Sequence, residues 1–288
     1  METKLRIAVQ SKGRLYDETM ELLGESGIKL TAVKRTLLVP ARNFPVELLF
    51  LRDDDIPESV ANGTADIGIV GLNEVLEKDK DVDIIKNLGF SRCHISLAIP
   101  QHIDYNGLSW FNGRKIATSY PGILDKFLKE NGIKADIHVI TGSVEIAPGI
   151  GLADAIFDIV SSGSTLVSNN LVEVKNVLDS EAVLIKASGN TLTAAKQNTL
   201  DELLFRFNAV KAADGKKYIL MNVPKEKLDE VLSILPGIKS PTVLPLANAD
   251  WCSVHSVLEE KRLWEIVGRL KAAGAEGILA LDIEKMIL

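Results

Sequence analysis

The sequence predicts an α/β protein that ends in a separate ferredoxin-like module, and three observations carry that reading. Short apolar runs alternate with helical stretches through the first two-thirds, which is the pattern of largely parallel sheets. Residues 214–288 follow a different order, βαββαβ, which is the ferredoxin-like arrangement. At 288 residues the chain is too long for one typical domain and should hold two or three.

Leu5–Val9 reads as the first strand, because a compact apolar run bounded by polar residues suits a buried strand better than a helix. The turn Gln10-Ser11-Lys12-Gly13-Arg14 feeds a helix over about Leu15–Glu25, closed near Gly27. Val46–Leu51 is the next strand. Asp53-Asp54-Asp55 then precede Ile56-Pro57, and Pro57 suits the first turn of a helix capped by an aspartate. Asp66–Val70 is a buried strand ending at Gly71. His94–Ile99, Lys115–Thr118, Ile137–Thr141 and Ala155–Val160 continue the strands, with a helix at Ile123–Asn131. Sheets of this kind bind ligands at the C-terminal ends of their strands. Pro100–Gly107 is a polar, turn-rich break towards a second lobe. A helix over Lys196–Ala213 ends at Asp214-Gly215, a natural boundary. In the tail, Lys217–Val223, Val243–Leu246, Trp251–Val254 and Gly277–Leu281 are strands, and Lys225–Leu235 and Glu259–Ala273 are helices. The tail shows no nucleophile with a base and no phosphate loop, so it suits regulation better than catalysis.

Composition narrows the function. Hydrophobic residues make up 46% and charged residues 25%, as in a soluble globular protein. A net charge of −6 argues against a general nucleic-acid binder, so an anionic substrate needs locally clustered cations. Lys12, Arg14, Lys34, Arg35, Arg42, Arg52 and Arg92 are concentrated in the first third. Cys93 and Cys252 have no disulfide or metal spacing, and His94, His102, His138 and His255 have no zinc spacing. With neither a signal-like nor a membrane-spanning apolar run, a cytoplasmic protein is expected.

The stretch Glu145–Leu166 concentrates the chemistry. The strand Ala155–Val160 runs into Ser161-Ser162-Gly163-Ser164-Thr165, and Leu166–Leu171 opens a helix. A strand, a Gly/Ser/Thr loop and a helix N-terminus make an anion site from converging amides, hydroxyls and the helix dipole. The same residue types also serve as ordinary helix caps. The carboxylates of Glu145, Asp154 and Asp158 repel phosphate and suit a metal, a sugar diol or a developing positive charge. Phosphate beside a diol or carbocation describes a phosphorylated ribose. At the first strand–helix turn, Lys12 and Arg14 suit a diphosphate, or form a solvated basic turn. Arg52 suits a phosphate, while Asp53–Asp55 either hold Mg²⁺ or cap a helix. Thr118-Ser119-Tyr120 form a further strand-to-helix turn, and Gly68 and Gly71 admit either a ligand or close strand packing.

Glu145, Gly151, Ala153, Asp158, Ser162, Gly163, Thr165 and Leu166 fall on the motif of the ATP phosphoribosyltransferase family, which the chain resembles. Leu5–Leu15, Arg52–Pro57, Ala117–Pro121, Leu235–Gly237 and Pro241–Leu246 also look like segments of this family, in order over nearly the full length. The resemblance implies two lobes like those of periplasmic binding proteins: 1–94 with 181–213, and 95–180. It makes 214–288 the regulatory domain of the long form. The implied reaction moves the phosphoribosyl group of 5-phosphoribosyl 1-diphosphate to N1 of ATP and releases diphosphate, the first step of histidine biosynthesis. Glu145, Asp154, Lys12 and Arg14 are then the expected catalytic groups, and Ser161, Ser162, Gly163, Ser164 and Thr165 the phosphoribosyl-diphosphate loop. Arg52, Gly71, Thr118, Ser119 and Tyr120 are expected at ATP or diphosphate, and Asp158 is expected to be structural or secondary. Mg²⁺ is the expected cofactor, without assigned ligands. Histidine is the expected inhibitor, with Ser240, Thr242 and Leu244 as its candidate wall, in a protein that assembles as a dimer and hexamer. A solute-binding protein of the same two-lobed shape is the rival class, and a different amino-acid-regulated enzyme with a similar tail is a second rival; product formation from the two substrates separates all three.

Overall fold

The computed structural model describes residues 4–30, 36–161, 163–235 and 240–288. Ser162, Lys34, Arg35, Pro236 and Gly237 lie outside the described residues. The first stretch runs β1 (Leu5–Gln10), α1 (Arg14–Glu25), β2 (Leu38–Pro40), β3 (Val46–Leu51), α2 (Ile56–Ala61), β4 (Ile67–Gly71), α3 (Leu72–Lys78) and β5 (Val82–Asn87). The second runs β6 (Cys93–Pro100), β7 (Lys115–Thr118), α4 (Pro121–Glu130), β8 (Asp136–Val139), β9 (Ala155–Val160), α5 (Ser164–Ser168) and β10 (Leu171–Ser180). Then come β11 (Ala182–Ala187), α6 (Ala194–Ala213), β12 (Lys216–Pro224), α7 (Leu228–Ile234), β13 (Thr242–Pro245), β14 (Trp251–Glu259), α8 (Leu263–Ala272) and β15 (Glu276–Asp282).

Two mixed sheets make the two-lobed, periplasmic-binding-protein-like part. The first has the order β2-β3-β1-β4-β11-β5, with β3, β1 and β4 parallel and β2 and β11 antiparallel to their neighbours. The second has the order β10-β6-β9-β7-β8, with β9, β7 and β8 parallel. Apolar runs make the parallel centres: Ile7, Ala8, Val9, Ile67, Ile69 and Val70 are all fully buried. The chain crosses between the sheets at residues 88–92 and again at Glu181, and the crossings lie together, with Leu88 N donating to Ala182 O and Ala182 N to Phe90 O, each at 2.9 Å. The helix expected to open at Leu166 is α5, and it stops at Ser168. Asn170 takes φ 54, a left-handed turn that asparagine tolerates, and sends the chain into β10.

The sheet centre admits no extra atoms. A Cβ on Gly68 of β4 would stand 2.7 Å from Ile56 Cγ2, 2.9 Å from Val60 Cγ2 and 3.3 Å from Ile185 Cγ1. Ile56, Val60 and Ile185 are themselves fully buried, so none can swing into solvent. Gly68→Ala should therefore destabilise this unit by about 1–3 kcal/mol through overpacking. A thermal melt followed by circular dichroism checks it; an unchanged midpoint would show that α2 can move away freely.

By contacts the chain forms two compact units, one of residues up to Gly24 with Ile28–Leu200, the other of Glu25–Gly27 with Asp201–Leu288. This contact-based division falls inside α6. Met286 N donates to Ala209 O at 2.8 Å, tying the second half of α6 to the end of the chain. The tail sheet has the order β13-β14-β12-β15, antiparallel throughout, which is the ferredoxin-like βαββαβ topology. Ile219, Met221, Val223, Cys252, Val254 and Leu258 pack on Val231 of α7 and Ile266 and Leu270 of α8. Strand alternation leaves Tyr218, Leu220, Ser253 and His255 on the face without helices. There the His255 ring bonds Tyr218 Oη at 2.7 Å and Ser253 Oγ at 2.9 Å.

Candidate active site

The site is built where parallel strands of both lobes end. After β1, Gly13 takes φ 96, a conformation glycine adopts without steric penalty, and α1 starts at Arg14. Arg14 Nη1 donates to Ser161 Oγ at 2.9 Å across 147 residues, and Nη2 donates to Arg92 O at 2.8 Å. The basic turn of the first lobe and the hydroxyl loop of the second are therefore in contact. Lys12 shares that turn and is exposed. In the loop, Gly163 takes φ 74 and precedes α5, whose first helical bond is Val167 N to Gly163 O at 3.1 Å. The amides of Thr165 and Leu166 thus come before the helical ladder, as anion-binding amides do. Leu166 is buried and anchors the turn, while Ser161 and Thr165 are exposed. Beside Ser161 a cavity of about 510 Å³ opens between the two crossings, lined among others by Leu72, Arg92, Cys93 and Ser180.

Glu145 and Asp158 form the acidic part of the site. Glu145 sits on the 3-10 turn Val144–Ile146, which the chain enters through Ser143 at φ 50 and pins with buried Val144. Asp158 lies in β9 and accepts a hydrogen bond from Ile159 N at 2.8 Å. Burial pushes its carboxyl up to about 6, the like charge of Glu145 adds to the rise, and the Ile159 amide opposes it.

Asp154 is a correction. It precedes β9 at the opposite end from the loop, and its Oδ2 accepts from Lys115 N at 2.8 Å. A six-residue strand separates it from Ser161, roughly 20 Å at ~3.3 Å per residue. It lines a different hollow, of about 400 Å³, with Trp110, Arg114 and Lys115. The carboxylate nearer the loop is that of Asp158, the residue expected to be structural or secondary.

Other expected contacts are spent on structure. A Cβ on Gly71 would collide with Asn73 Oδ1, so the space over Gly71 is taken by the Asn73 amide. Thr118 is fully buried, and its Oγ1 accepts from Tyr120 N at 2.8 Å, closing the turn. Tyr120 is buried and its hydroxyl is held by Asn73 Nδ2 at 3.3 Å; burial and nearby Glu74 push its pKa far up. Ser119 stays half-buried at the same turn. Arg52 remains exposed at the end of β3 and pairs with Asp54 at 3.3 Å, which also faces Lys78 at 3.7 Å. Asp55 at the N-cap of α2 makes no side-chain capping bond, and Asp53 accepts from Gln10 Nε2 at 3.3 Å and from Asp54 N at 3.1 Å.

The structure adds residues that the sequence pattern did not single out. Asn73 and Glu74 of α3 meet Tyr120 of the second lobe. Ser180 Oγ donates to Asn73 Oδ1 at 2.8 Å and accepts from Asn73 N at 3.1 Å. Burial, then the charge of Asp53, raises Glu74 to about 7. Glu77 accepts from Gly122 N at 2.9 Å and Ile123 N at 3.0 Å, capping α4 across the lobes. Apolar patterning gives no sign of these pairings, which join residues 45 to 107 positions apart.

A family model described as ATP phosphoribosyltransferase matches residues 52–209, and one described as the HisG C-terminal domain matches 213–285. The ATP phosphoribosyltransferase of Bacteroides fragilis is 68% identical over 284 residues, covering 99% of this chain and 100% of that one. The chain belongs to the ATP phosphoribosyltransferase family. The Bacteroides thetaiotaomicron member of the family is 67% identical over the same shares of both chains. A solved chain described as the ATP phosphoribosyl transferase (HisG:HisZ) complex from Thermotoga maritima aligns with a TM-score of 0.61 and 25% identity. That alignment covers 70% of this chain and 98% of that chain. With a C-terminal domain that matches its own family model, this is a long-form ATP phosphoribosyltransferase sequence, a pentosyltransferase of histidine biosynthesis. Among the described residues, no helix is long and apolar enough to cross a membrane.

Proposed function

We propose that the two lobes transfer the phosphoribosyl group of 5-phosphoribosyl 1-diphosphate to N1 of the adenine ring of ATP, releasing diphosphate in the first step of histidine biosynthesis. The hydrogen bond from Arg14 to Ser161 carries this reading. It puts a cation suited to diphosphate against a loop suited to the 5-phosphate, with Asp158 and Glu145 behind the loop. Breaking the anomeric C–O bond builds positive charge on the sugar. Asp158 and Glu145 stabilise that charge and hold the ribose hydroxyls, while Arg14 and Lys12 take up the charge of the departing diphosphate. Ser161, Gly163, Ser164 and Thr165 hold the 5-phosphate, and exposed Arg52 reaches the ATP phosphates. Adenine N1 carries a free lone pair, so positioning and electrostatics suffice without a general base.

Mg²⁺ fits this site in company with the substrate. Among the described residues no group of three His, Cys, Asp or Glu side chains is placed to hold a metal, whereas Mg²⁺ commonly takes one or two carboxylates plus substrate phosphates and water. Asp158 and Glu145 would supply those carboxylates, and the bound ion would neutralise diphosphate charge. The same reading makes the protein cytoplasmic and assembles it as dimers and hexamers. It makes histidine a feedback inhibitor that binds the tail at Ser240, Thr242 and Leu244. Thr242 pairs with His255 and Leu244 with Ser253, so these side chains share the face without helices, polar groups on an apolar wall as an amino-acid ligand requires.

Incubation with ATP and 5-phosphoribosyl 1-diphosphate should yield the N1-ribosylated nucleotide and diphosphate in equal amounts. Binding of either compound without turnover, under conditions where the protein is folded and Mg²⁺ is present, would leave the solute-binding rival standing.

A further inference from the structure

We infer that Glu18 and Ser91 form a relay that aims Arg14 at the phosphoribosyl loop, which makes Glu18 a positioning residue for the reaction proposed above. Arg14 and Glu18 are one helical turn apart on α1, and Arg14 Nε lies 3.4 Å from Glu18 Oε1. The other oxygen, Glu18 Oε2, accepts a hydrogen bond from Ser91 Oγ. One carboxylate thus bridges the arginine and the crossing between the lobes. Each guanidinium nitrogen then has its own partner: Nε on Glu18, Nη2 on Arg92 O at 2.8 Å, and Nη1 on Ser161 Oγ at 2.9 Å. The guanidinium is a rigid planar fork, so fixing one edge and one corner fixes where the remaining donors point. They point at the loop.

Ser91 itself takes φ 50, a conformation that L residues adopt only where their surroundings hold them. Its neighbour Arg92 supplies the carbonyl that holds Nη2, so the same two crossing residues grip both the carboxylate and the guanidinium. Glu18 is only one-third exposed at its side chain, whereas Arg14 is about half exposed. The less exposed partner, held on both oxygens, therefore acts as the fixed end of the pair and the arginine as the end that meets ligand. This inference rests on the assignment of Arg14 to the diphosphate.

The test is a double-mutant cycle on the full chain, with kcat and KM measured for both substrates and a melt recorded for each variant. Glu18→Gln keeps the shape and removes the charge. It should lower kcat/KM for 5-phosphoribosyl 1-diphosphate about tenfold and leave KM for ATP within about twofold, with Ser91→Ala changing it in the same direction by less. Arg14→Ala should lower activity more, and adding Glu18→Gln to Arg14→Ala should lower it no further, since a residue acting through Arg14 has nothing left to position. Effects that multiply in the double variant would show that Glu18 acts independently and would overturn the relay. A damaging Arg14→Ala with a neutral Glu18→Gln overturns the relay alone. A neutral Arg14→Ala overturns the assignment of Arg14, and the relay with it.

Discussion

Asp158→Asn should lower kcat by roughly 10²-fold, the scale of removing one preorganised charge-stabilising group, and yet leave the protein more stable than its parent at pH 8. The two effects share one cause. Burial and the neighbouring Glu145 raise the Asp158 carboxyl from 3.8 to about 6. A carboxyl raised in the folded state favours the protonated fold. Its contribution to stability is complete below the unfolded value near 3.8 and is lost as pH rises through about 6. Above that, the buried charge costs the fold about 2–3 kcal/mol at most for a shift of this size, less where water screens it. Asparagine has no charge to bury, and its Oδ1 still accepts from Ile159 N. Activity runs the other way, because a carboxylate that faces a developing cation must be ionised. The parent's kcat/KM should therefore rise with pH through about 6, and the variant should lose that limb. Glu74, raised to about 7, titrates nearby, and comparing the two profiles separates its share. Melts at pH 5 and pH 8 with kinetics across that range decide the matter. A variant that keeps both kcat and the acid limb takes Asp158 out of the reaction.

The contrast between Asp154 and Asp158 shows what the sequence holds and what it withholds. Both carboxylates flank the same apolar run, four residues apart, and residue type alone does not rank them. The rule that parallel strands bind ligands at their C-terminal ends does rank them, because Asp158 lies next to the loop and Asp154 at the strand's entrance. The Gly/Ser/Thr loop and the basic turn after β1 were legible for the same reason, each being a short polar segment after a buried apolar strand. Strand character was legible in β1, β4 and β9, whereas β11, equally buried, was not read as a strand. β11 is as apolar as β4, but its place antiparallel between β4 and β5 depends on partners about a hundred residues away. β10 is largely exposed and twice irregular in its pairing with β6, so it has no clean alternation to read. Thr118 and Tyr120 look like ligand donors in a list of residues. Only the fold shows that their hydroxyls are spent, one on a turn amide and the other on Asn73 and Glu74.

Thr242→Lys and Leu244→Glu should each raise the histidine concentration for half-inhibition at least 30-fold while basal kcat stays within about twofold. Both side chains lie on β13, an exposed edge strand, so neither substitution disturbs a core and each should change stability by under about 0.5 kcal/mol. Both project onto the face that carries His255 and Ser253. A longer charged side chain introduced there fills the space beside His255 and Ser253 and must lose its water when histidine binds, which costs about 2 kcal/mol or more of binding, equivalent to about 30-fold. Inhibition requires histidine to bind an inactive arrangement better than an active one, so weaker binding on this face weakens inhibition in proportion. Substitution is a cleaner test than deleting residues 214–288. By contacts the second half of α6 belongs to the C-terminal unit, and deletion after Ala213 would remove Met286, whose amide donates to Ala209 O. Titration of activity with histidine, alongside calorimetry on the intact variants, reads both affinity and its effect. If both variants keep the parent's histidine response, the inhibitor does not bind this face, and the regulatory role of the tail must rest on another surface.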